Sequence, residues 1–395
     1  MKREKLERLE KIARKNGVHH IDGNSVLIVD HEKIRRNYRA FTEALPRVQP
    51  YFAVKANSLP EIVKTIYDLG GSFDVASYPE FLLVHRMIKD LTPEERRDFI
   101  WEKIIYAHPV KKKGTLKKLN KYKPLTTFDN FAEIGKIKQY APNAGLVLRL
   151  WSPNTGSTVE LSNKFGVDSG EAVDLIAVAI DSGLQVEGVS FHVGSQCNNF
   201  SNYVQALEFA YKVFNEAEAR GYVVGFSREQ RKRLVDIGGG FPVKYSRKDK
   251  KFEELAKLLN TETDRLFPSD EFEIIAEPGR CMVATAATLI CEVIGKAIKH
   301  GKACYYIDDG VYHTFSGQIF DHIQYPVRAL KKGHTEICTV FGRTCDGFDV
   351  ISQNAQLPPL ELGDLVYAEH IGAYTNASST HFNGFPPAKI VHINK

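Results

Sequence analysis

Residues 51–57 read Tyr51-Phe52-Ala53-Val54-Lys55-Ala56-Asn57. Tyr51 to Val54 is a short apolar run of the kind that forms a buried strand. Pro60 opens the next segment, in which Ile62, Val63, Ile66 and Leu69 recur at helical spacing. Lys55 therefore stands where a strand hands over to a helix. Two readings are open for such a lysine. It can snorkel to solvent from the strand end, or it can lose water, which disfavours the ammonium form and frees the amine to attack carbonyls.

Working outward from this stretch, strand-like runs lie near 49–54, 73–76, 103–107, 125–128, 145–150, 186–192, 233–238 and 273–277. Helical patterns lie near 60–69, 78–88, 113–120, 129–140, 169–182, 200–220 and 251–265. Eight strands, each but the last followed by a helix, within about 230 residues predict a (β/α)8 TIM barrel. An open doubly wound sheet is the weaker alternative, because no G-x-G-x-x-G opens the first helix. Beyond Pro278 the texture changes. Runs at 288–294, 303–307, 337–341 and 364–367, punctuated by Gly and Asp, predict an antiparallel β-domain. The strand-like Ser25 to Val29 is expected to join it. The expected organisation is an N-terminal helix and strand (1–29) packing on the β-domain, a barrel (30–280), and the C-terminal β-domain (281–395).

The chain has 395 residues, 43% hydrophobic and 26% charged, as in a soluble globular protein. No apolar run is long enough to cross a bilayer. The first residues, MKREKLERLEKIARKNG, are charged and lack an apolar core, so no targeting segment and a cytoplasmic location are expected. Cysteines 197, 281, 291, 304, 338 and 345 form no C-x-x-C pair, so free thiols and no metal site are expected. The net charge of +5 is small for this length. One basic cluster (Lys111, Lys112, Lys113, Lys117, Lys118, Lys121 and Lys123) lacks interleaved aromatics and reads as a solvated helix face, not a nucleic-acid surface.

Catalytic groups of such a barrel gather at the C-terminal ends of its strands. Those ends carry Lys55, Asp74, His108, Arg149, His192, Gly238-Gly239-Gly240 and Glu277. Glycines let backbone N–H groups approach an anion. Glu277-Pro278-Gly279-Arg280 adds a further glycine and a guanidinium at the neighbouring strand end. A glycine triplet alone is a tight turn; joined by Gly279 and Arg280 it points to a phosphate. A phosphate across a barrel mouth from a lysine suggests pyridoxal phosphate. Lys55 would form the Schiff base and Glu277 would accept the pyridinium N–H. His192 either stacks on the ring or is a hydrogen-bonded core histidine.

The strings AVKAN, FDVAS, FHVGSQ, DIGGGFP, EPGR, FDH, TCDGFD and GAYT…FNGF occur in this order. With them the chain resembles the fold-type III (alanine-racemase-like) pyridoxal-phosphate decarboxylases, the ornithine/diaminopimelate/arginine family, and most closely its ornithine branch, from about Ser25 onward. The resemblance implies that Lys55 holds the cofactor, that Glu277 pairs with its ring nitrogen and that His192 stacks on the ring. It implies that Ser195, Gly240, Gly279, Arg280 and Tyr374 hold the phosphate, with Asp74 and Arg149 beside the cofactor. Asp321 and Asp346 would grip the distal amine, and Cys345 would reprotonate the α-carbon. In the family Cys345 and Asp346 act from the partner subunit, which implies a head-to-tail homodimer with composite sites. The chain departs from the family at Arg343, where proline is usual, placing a cation near a cation-binding site. Gln196 replaces the glycine of the animal ornithine branch, and Phe320 replaces a common tyrosine.

The implied activity is conversion of L-ornithine to putrescine and CO2, a step of polyamine biosynthesis. Lysine or dual lysine/ornithine decarboxylation is the alternative, since one methylene is commonly worth only about 1–3 kcal/mol of discrimination. Diaminopimelate is disfavoured because Asp321 and Asp346 would repel its distal carboxylate. An inactive regulatory homologue of the antizyme-inhibitor kind is disfavoured by the joint presence of Lys55, Glu277, Arg280, Cys345 and Asp346. Alanine racemase activity has only the fold in its favour.

Overall fold

A computed structural model describes residues 3–18, 24–225 and 232–395. The chain forms two compact units, Asn37–Gly279 and Met1–Arg36 with Arg280–Lys395. It opens with helix Arg3–Lys15 (α1), the fully buried strand Val26–Asp30 (β1) and helix His31–Ala44 (α2).

Eight strands follow: Val48–Ala53 (β2), Ser72–Val75 (β3), Ile104–Tyr106 (β4), Leu125–Phe128 (β5), Gly145–Arg149 (β6), Gln185–Ser190 (β7), Arg233–Asp236 (β8) and Phe272–Ala276 (β9). Each pairs in parallel with the next, and β2 pairs with β9 from Val48 opposite Ile274 to Pro50 opposite Ala276, which closes the barrel. The helices are Pro60–Asp68 (α3), Tyr78–Met87 (α4), Pro93–Lys103 (α5), Lys113–Tyr122 (α6), Phe131–Tyr140 (α7), Ala172–Asp181 (α8), Ser201–Ala219 (α9) and Phe252–Leu266 (α10). The predicted (β/α)8 barrel is the observed one. Helix α5 was not predicted. Its charged sequence PEERRDFIWEK carries no apolar stripe, but Thr92 and Glu95 form a reciprocal capping box ahead of it, with Pro93 in the first turn.

Tyr51, Ile105, Leu125, Val147, Leu234 and Ile275, from six different strands, pack together as part of one buried cluster. Close approach of β7 and β8 requires Gly188: a Cβ there would lie 2.0 Å from the Leu234 carbonyl oxygen.

The other unit holds Ala287–Lys299 (β10), Lys302–Ile307 (β11), Arg328–Ala329 (β12), Glu336–Phe341 (β13), Val350–Leu357 (β14), Leu365–Glu369 (β15) and Lys389–Ile393 (β16). Their order is β12-β15-β10-β11-β13-β14, and β1 pairs with both β10 and β16. The expected antiparallel sheet is mixed: β1 with β16 and β11 with β13 are parallel, because long connections return the chain in the same direction. Leu9 and Ala13 of α1 pack with Val26, Ile28, Ile290, Leu365 and Tyr367. Two buried aspartates order the loops of this unit. Asp309 accepts from Ser25 Oγ (2.6 Å), Gly310 N (2.8 Å), Thr314 N (2.8 Å) and Thr314 Oγ1 (2.8 Å). Asp349 accepts from Val311 N (2.8 Å), Thr344 N (3.1 Å) and Thr344 Oγ1 (2.7 Å). Buried carboxylates demand such donors.

The lysine cluster differs from a plain solvated face. Lys111 is only 3% exposed. Its Nζ donates to the carbonyls of Pro109 (2.9 Å) and Thr127 (2.6 Å) and pairs with Glu133 at 3.1 Å. Burial brings its pKa down to about 8 despite that carboxylate. Aromatic rings also lie against the lysines, Tyr140 beside Lys113 and Lys117, Tyr78 beside Lys118 and Tyr122 beside Lys121. They come from neighbouring helices or sit singly in α6, so no aromatic run showed in the sequence. Among the described residues no helix is long and apolar enough to cross a membrane.

Replacing Gly188 with Ala drives a methyl group into backbone, so it should destabilise the protein by about 1–3 kcal/mol or more. Urea unfolding checks this; an unchanged midpoint would show that β7 and β8 are not in this register.

Candidate active site

Barrel closure brings the ends of β2, β3, β7, β8 and β9 to one rim. After β2 the chain makes a 3-10 turn, Val54–Ala56, that contains Lys55. Ala53 N–H donates to the Pro278 carbonyl at 3.1 Å, tying this turn to the end of β9. Ala53 stands opposite Asp74 in the β2–β3 pairing, and Lys55 Nζ meets Asp74 Oδ2 at 2.6 Å. The Lys55 side chain is 35% exposed and that of Asp74 is 0%. The lysine expected to be stripped of water thus has a charged partner instead of an apolar surround. β3 supplies that partner because its inward side chain at the rim is an aspartate.

Three carboxyls converge here. Glu277, just beyond β9, is 6% exposed, and its N–H donates to the Gly238 carbonyl at 2.8 Å. Asp236 at the end of β8 is fully buried, and its Oδ1 accepts the Gly238 N–H at 2.8 Å. Its Oδ2 has no donor among the described residues. Burial pushes the Asp236 pKa up to about 7, with the Glu277 carboxyl beside it. Burial, then the Asp236 and Asp74 charges, push Glu277 well above the usual carboxylate range. Two carboxyls this close in low dielectric hold one proton between them, which supplies the missing donor. Asp236 was not singled out in the sequence, although it opens the DIGGGFP string.

His192, just beyond β7, accepts the Gly194 N–H at Nδ1 (3.1 Å), so its neutral ring carries hydrogen on Nε2. Burial, then Arg149 and Lys55, hold its pKa well below the usual value. Arg149 and His108 both lie against the Phe165 ring, at 5.2 and 5.5 Å.

The glycine run forms a cradle. Gly238 and Gly240 have φ of +62° and +99°, and a Cβ at Gly240 would lie 2.4 Å from the Gly194 carbonyl oxygen. The Gly239 and Gly240 carbonyls are occupied, by Tyr203 OH at 2.8 Å and Cys197 N–H at 2.9 Å. The N–H groups of Gly239, Gly240 and Gly279 donate to nothing among the described residues. Ser195 lies next to Gly194, its own N–H bonded to the Val159 carbonyl at 2.9 Å.

Residues 31–284 match the family described as pyridoxal-dependent decarboxylase, pyridoxal binding domain. This chain belongs to that family. The decarboxylase is 36% identical over 361 residues to the lysine/ornithine decarboxylase of Selenomonas ruminantium, covering 91% of this chain and 87% of that protein. It is 37% identical over 387 residues to antizyme inhibitor 2 of Xenopus laevis, covering 93% and 81%. Its fold is similar to that of the Paramecium bursaria Chlorella virus arginine decarboxylase, with a TM-score of 0.88, 30% identity, and 98% and 100% of the two chains covered.

The decarboxylase uses pyridoxal phosphate, and the rim fits that group. Asp74, Asp236 and Glu277, with the half-buried Glu80 nearby, outnumber the cations Lys55 and Arg149, and a pyridinium N–H beside Glu277 would reduce that excess. The unpaired N–H groups of Gly239, Gly240 and Gly279 suit a phosphate.

Within the second unit, Arg280 and Asp321 pair with each other. Arg280 Nη2 meets Asp321 Oδ2 at 2.7 Å with both buried, and the guanidinium lies 4.9 Å from the Tyr374 ring. Cys345 is exposed, and its N–H donates to Asn383 Oδ1 at 3.1 Å. Asp346 accepts the Phe348 N–H at 2.9 Å and the Tyr312 hydroxyl, and Tyr312 stacks on Phe382 with ring centroids 4.3 Å apart. Tyr312 and Asn383 were missed in the sequence; Asn383 sits in the FNGF string that was quoted without a role. Arg343 is turned away from Asp346: its guanidinium donates to Asn24 Oδ1 (3.0 Å) and the Pro386 carbonyl and lies 4.7 Å from the Phe385 ring.

The Asp236 pKa of about 7 lies above its unfolded value of about 3.9, so the folded decarboxylase binds this proton more tightly. That contribution to stability is full below pH 4 and is lost as pH rises towards 7. Asp236→Asn keeps the Gly238 bond and donates an N–H towards Glu277. In the cofactor-free protein it should be more stable than wild type at pH 8, with the advantage vanishing towards pH 4. Urea unfolding across pH 4–8 checks this, and a pH-independent difference would refute the shared proton.

Proposed function

We propose that the protein removes the α-carboxylate of a basic amino acid, with L-ornithine as preferred substrate, yielding putrescine and CO2 for polyamine synthesis in the cytoplasm. The observation that carries this reading is Asp346. The Phe348 N–H and then the Tyr312 hydroxyl hold its carboxyl below the usual range, so it is ionised near neutral pH. No cation pairs with it among the described residues, because Arg343 is engaged elsewhere. A half-buried, fixed carboxylate of this kind suits a distal ammonium group. Two of the three named relatives are decarboxylases named for lysine, ornithine or arginine, which supports a cationic side chain. The name of the Selenomonas ruminantium relative, a lysine/ornithine decarboxylase, supports lysine as a second substrate here. A binding-only role like that of an antizyme inhibitor is opposed by the Lys55–Asp74 pair and the exposed Cys345.

Pyridoxal phosphate supplies an electron sink for the charge left on the α-carbon when CO2 departs. Lys55 would hold it, the N–H groups of Gly239, Gly240 and Gly279 would bind its phosphate, and Glu277, steadied by Asp236, would pair with its ring nitrogen. His192, held neutral, would lie against it without adding charge. Asp321 and Asp346 orient the substrate by its distal amine, so that the Cα–carboxylate bond is the one that breaks. Cys345 then gives its thiol proton to the α-carbon. The working unit is a homodimer in which Cys345 and Asp346 of one copy serve Lys55 of the other. In support, Phe320 and Phe348, in the unit that carries Cys345, are each 59% exposed, as apolar side chains of an interface would be in a lone chain.

Incubation with ornithine, lysine, arginine and diaminopimelate, followed by mass spectrometry, should show putrescine as the main product and cadaverine next. Preferred turnover of diaminopimelate would end the distal-amine reading. Mixing inactive Lys55→Ala chains with inactive Cys345→Ala chains should restore activity to about a quarter of wild type, since half the dimers are mixed and each holds one intact site. Mixed dimers as inactive as the parents would exclude shared sites.

A further inference from the structure

Gln196 is 2% exposed, and its backbone has a φ of +54°. A residue with a Cβ adopts that left-handed conformation only when something holds it there. The side chain does so. Nε2 donates to the Val243 carbonyl at 2.6 Å, and Oε1 accepts the Val243 N–H at 2.9 Å. One amide thus pairs both backbone groups of one residue, as a neighbouring strand would. Nε2 also reaches Asp249 Oδ1 at 3.2 Å. Asp249 in turn accepts the N–H groups of Tyr245 (3.1 Å) and Ser246 (2.6 Å). Asn198 adds a second strap, donating to Asp249 Oδ1 at 3.3 Å and accepting the Lys250 N–H at 2.9 Å.

These bonds join two segments. One, 196–198, continues directly from Ser195. The other, 243–250, begins three residues after Gly240. Between them the Cys197 N–H holds the Gly240 carbonyl at 2.9 Å, and Gly240 packs so closely on Gly194 that no side chain fits. The spacing of Ser195 from the open N–H groups of Gly239 and Gly240 is therefore set by this clasp.

We propose that Gln196 is a positioning residue for the cofactor's phosphate, fixing Ser195 and the Gly239–Gly240 N–H groups at binding distance without touching the phosphate itself. The proposal rests on the reading that this cradle holds the phosphate.

Gln196→Gly tests it, because glycine accepts the left-handed backbone without strain while the amide clasp is lost. Cofactor-free wild type and variant are each titrated with pyridoxal phosphate and with pyridoxal, followed by absorbance and fluorescence. Wild type should bind pyridoxal phosphate far more tightly than pyridoxal. The variant should lose about tenfold in affinity for pyridoxal phosphate, the equivalent of one hydrogen bond to a charged group, with pyridoxal affinity unchanged. No preference in wild type would overturn the phosphate reading and the proposal with it. A preference in wild type that survives in the variant, or an equal loss for both ligands, would overturn the positioning role alone. Asp249→Asn, which weakens the clasp without removing it, should show the same split on a smaller scale; if Gln196→Gly does not fold, absence of that split in Asp249→Asn rejects the proposal.

Discussion

Closure of the barrel between β2 and β9 is the constraint on which the active rim depends. All eight strands run in parallel, so their C-terminal ends meet on one side, and groups more than two hundred residues apart in sequence become neighbours. The bond from Ala53 N–H to the Pro278 carbonyl sits at that closure and ties the Lys55 turn to Glu277. A slip of one residue between β2 and β3 would turn Asp74 to the other face and leave Lys55 without its carboxylate. Close packing of β7 on β8 at Gly188 helps to hold the register.

The protein uses one chemical group in three environments. Asp309 and Asp349 are buried among backbone and hydroxyl donors and serve as fixed points for loops. Asp236 and Glu277 are buried with too few donors, and burial makes them hold a proton that solvent would remove. Asp346 is only half-buried, and two hydrogen bonds keep it charged. Donor count and burial separate these roles. Asp349 also fixes the site, since its bonds to Val311 and Thr344 flank Tyr312 and Cys345.

The barrel was legible because its strands are short apolar runs and most of its helices carry an apolar stripe. Helix α5 escaped because PEERRDFIWEK has no such stripe, and only its capping box marks it. The convergence of Lys55, His192 and Glu277 on one rim could be read from strand-end positions alone. Their electrostatics could not. The partner of Lys55 depends on the β2–β3 register, and the proton at Glu277 depends on Asp236 from another strand. Arg343 read as a cation close to Asp346, yet its direction is set by Asn24 and Pro386, remote in sequence. Gln196 showed only as a departure from a family pattern, because its partner lies 47 residues away. The β-domain is mostly antiparallel as expected; its two parallel pairings, β1 with β16 and β11 with β13, were not legible because strand direction there depends on long connections.

Strand β1 sets an order of assembly. It is made early, but its partners β10 and β16 lie in the last stretch of the chain, Arg280–Lys395. At about 5–20 residues per second, those 116 residues take roughly 6–23 s to synthesise. The barrel segment, Asn37–Gly279, is already synthesised when that interval begins, whereas β1, four apolar residues and Asp30, gains its β10 partner at Ala287–Lys299 and its β16 partner only at Lys389–Ile393. A chain cut short before β16 would therefore keep one edge of β1 unpaired, the kind of edge that templates pairing with another chain.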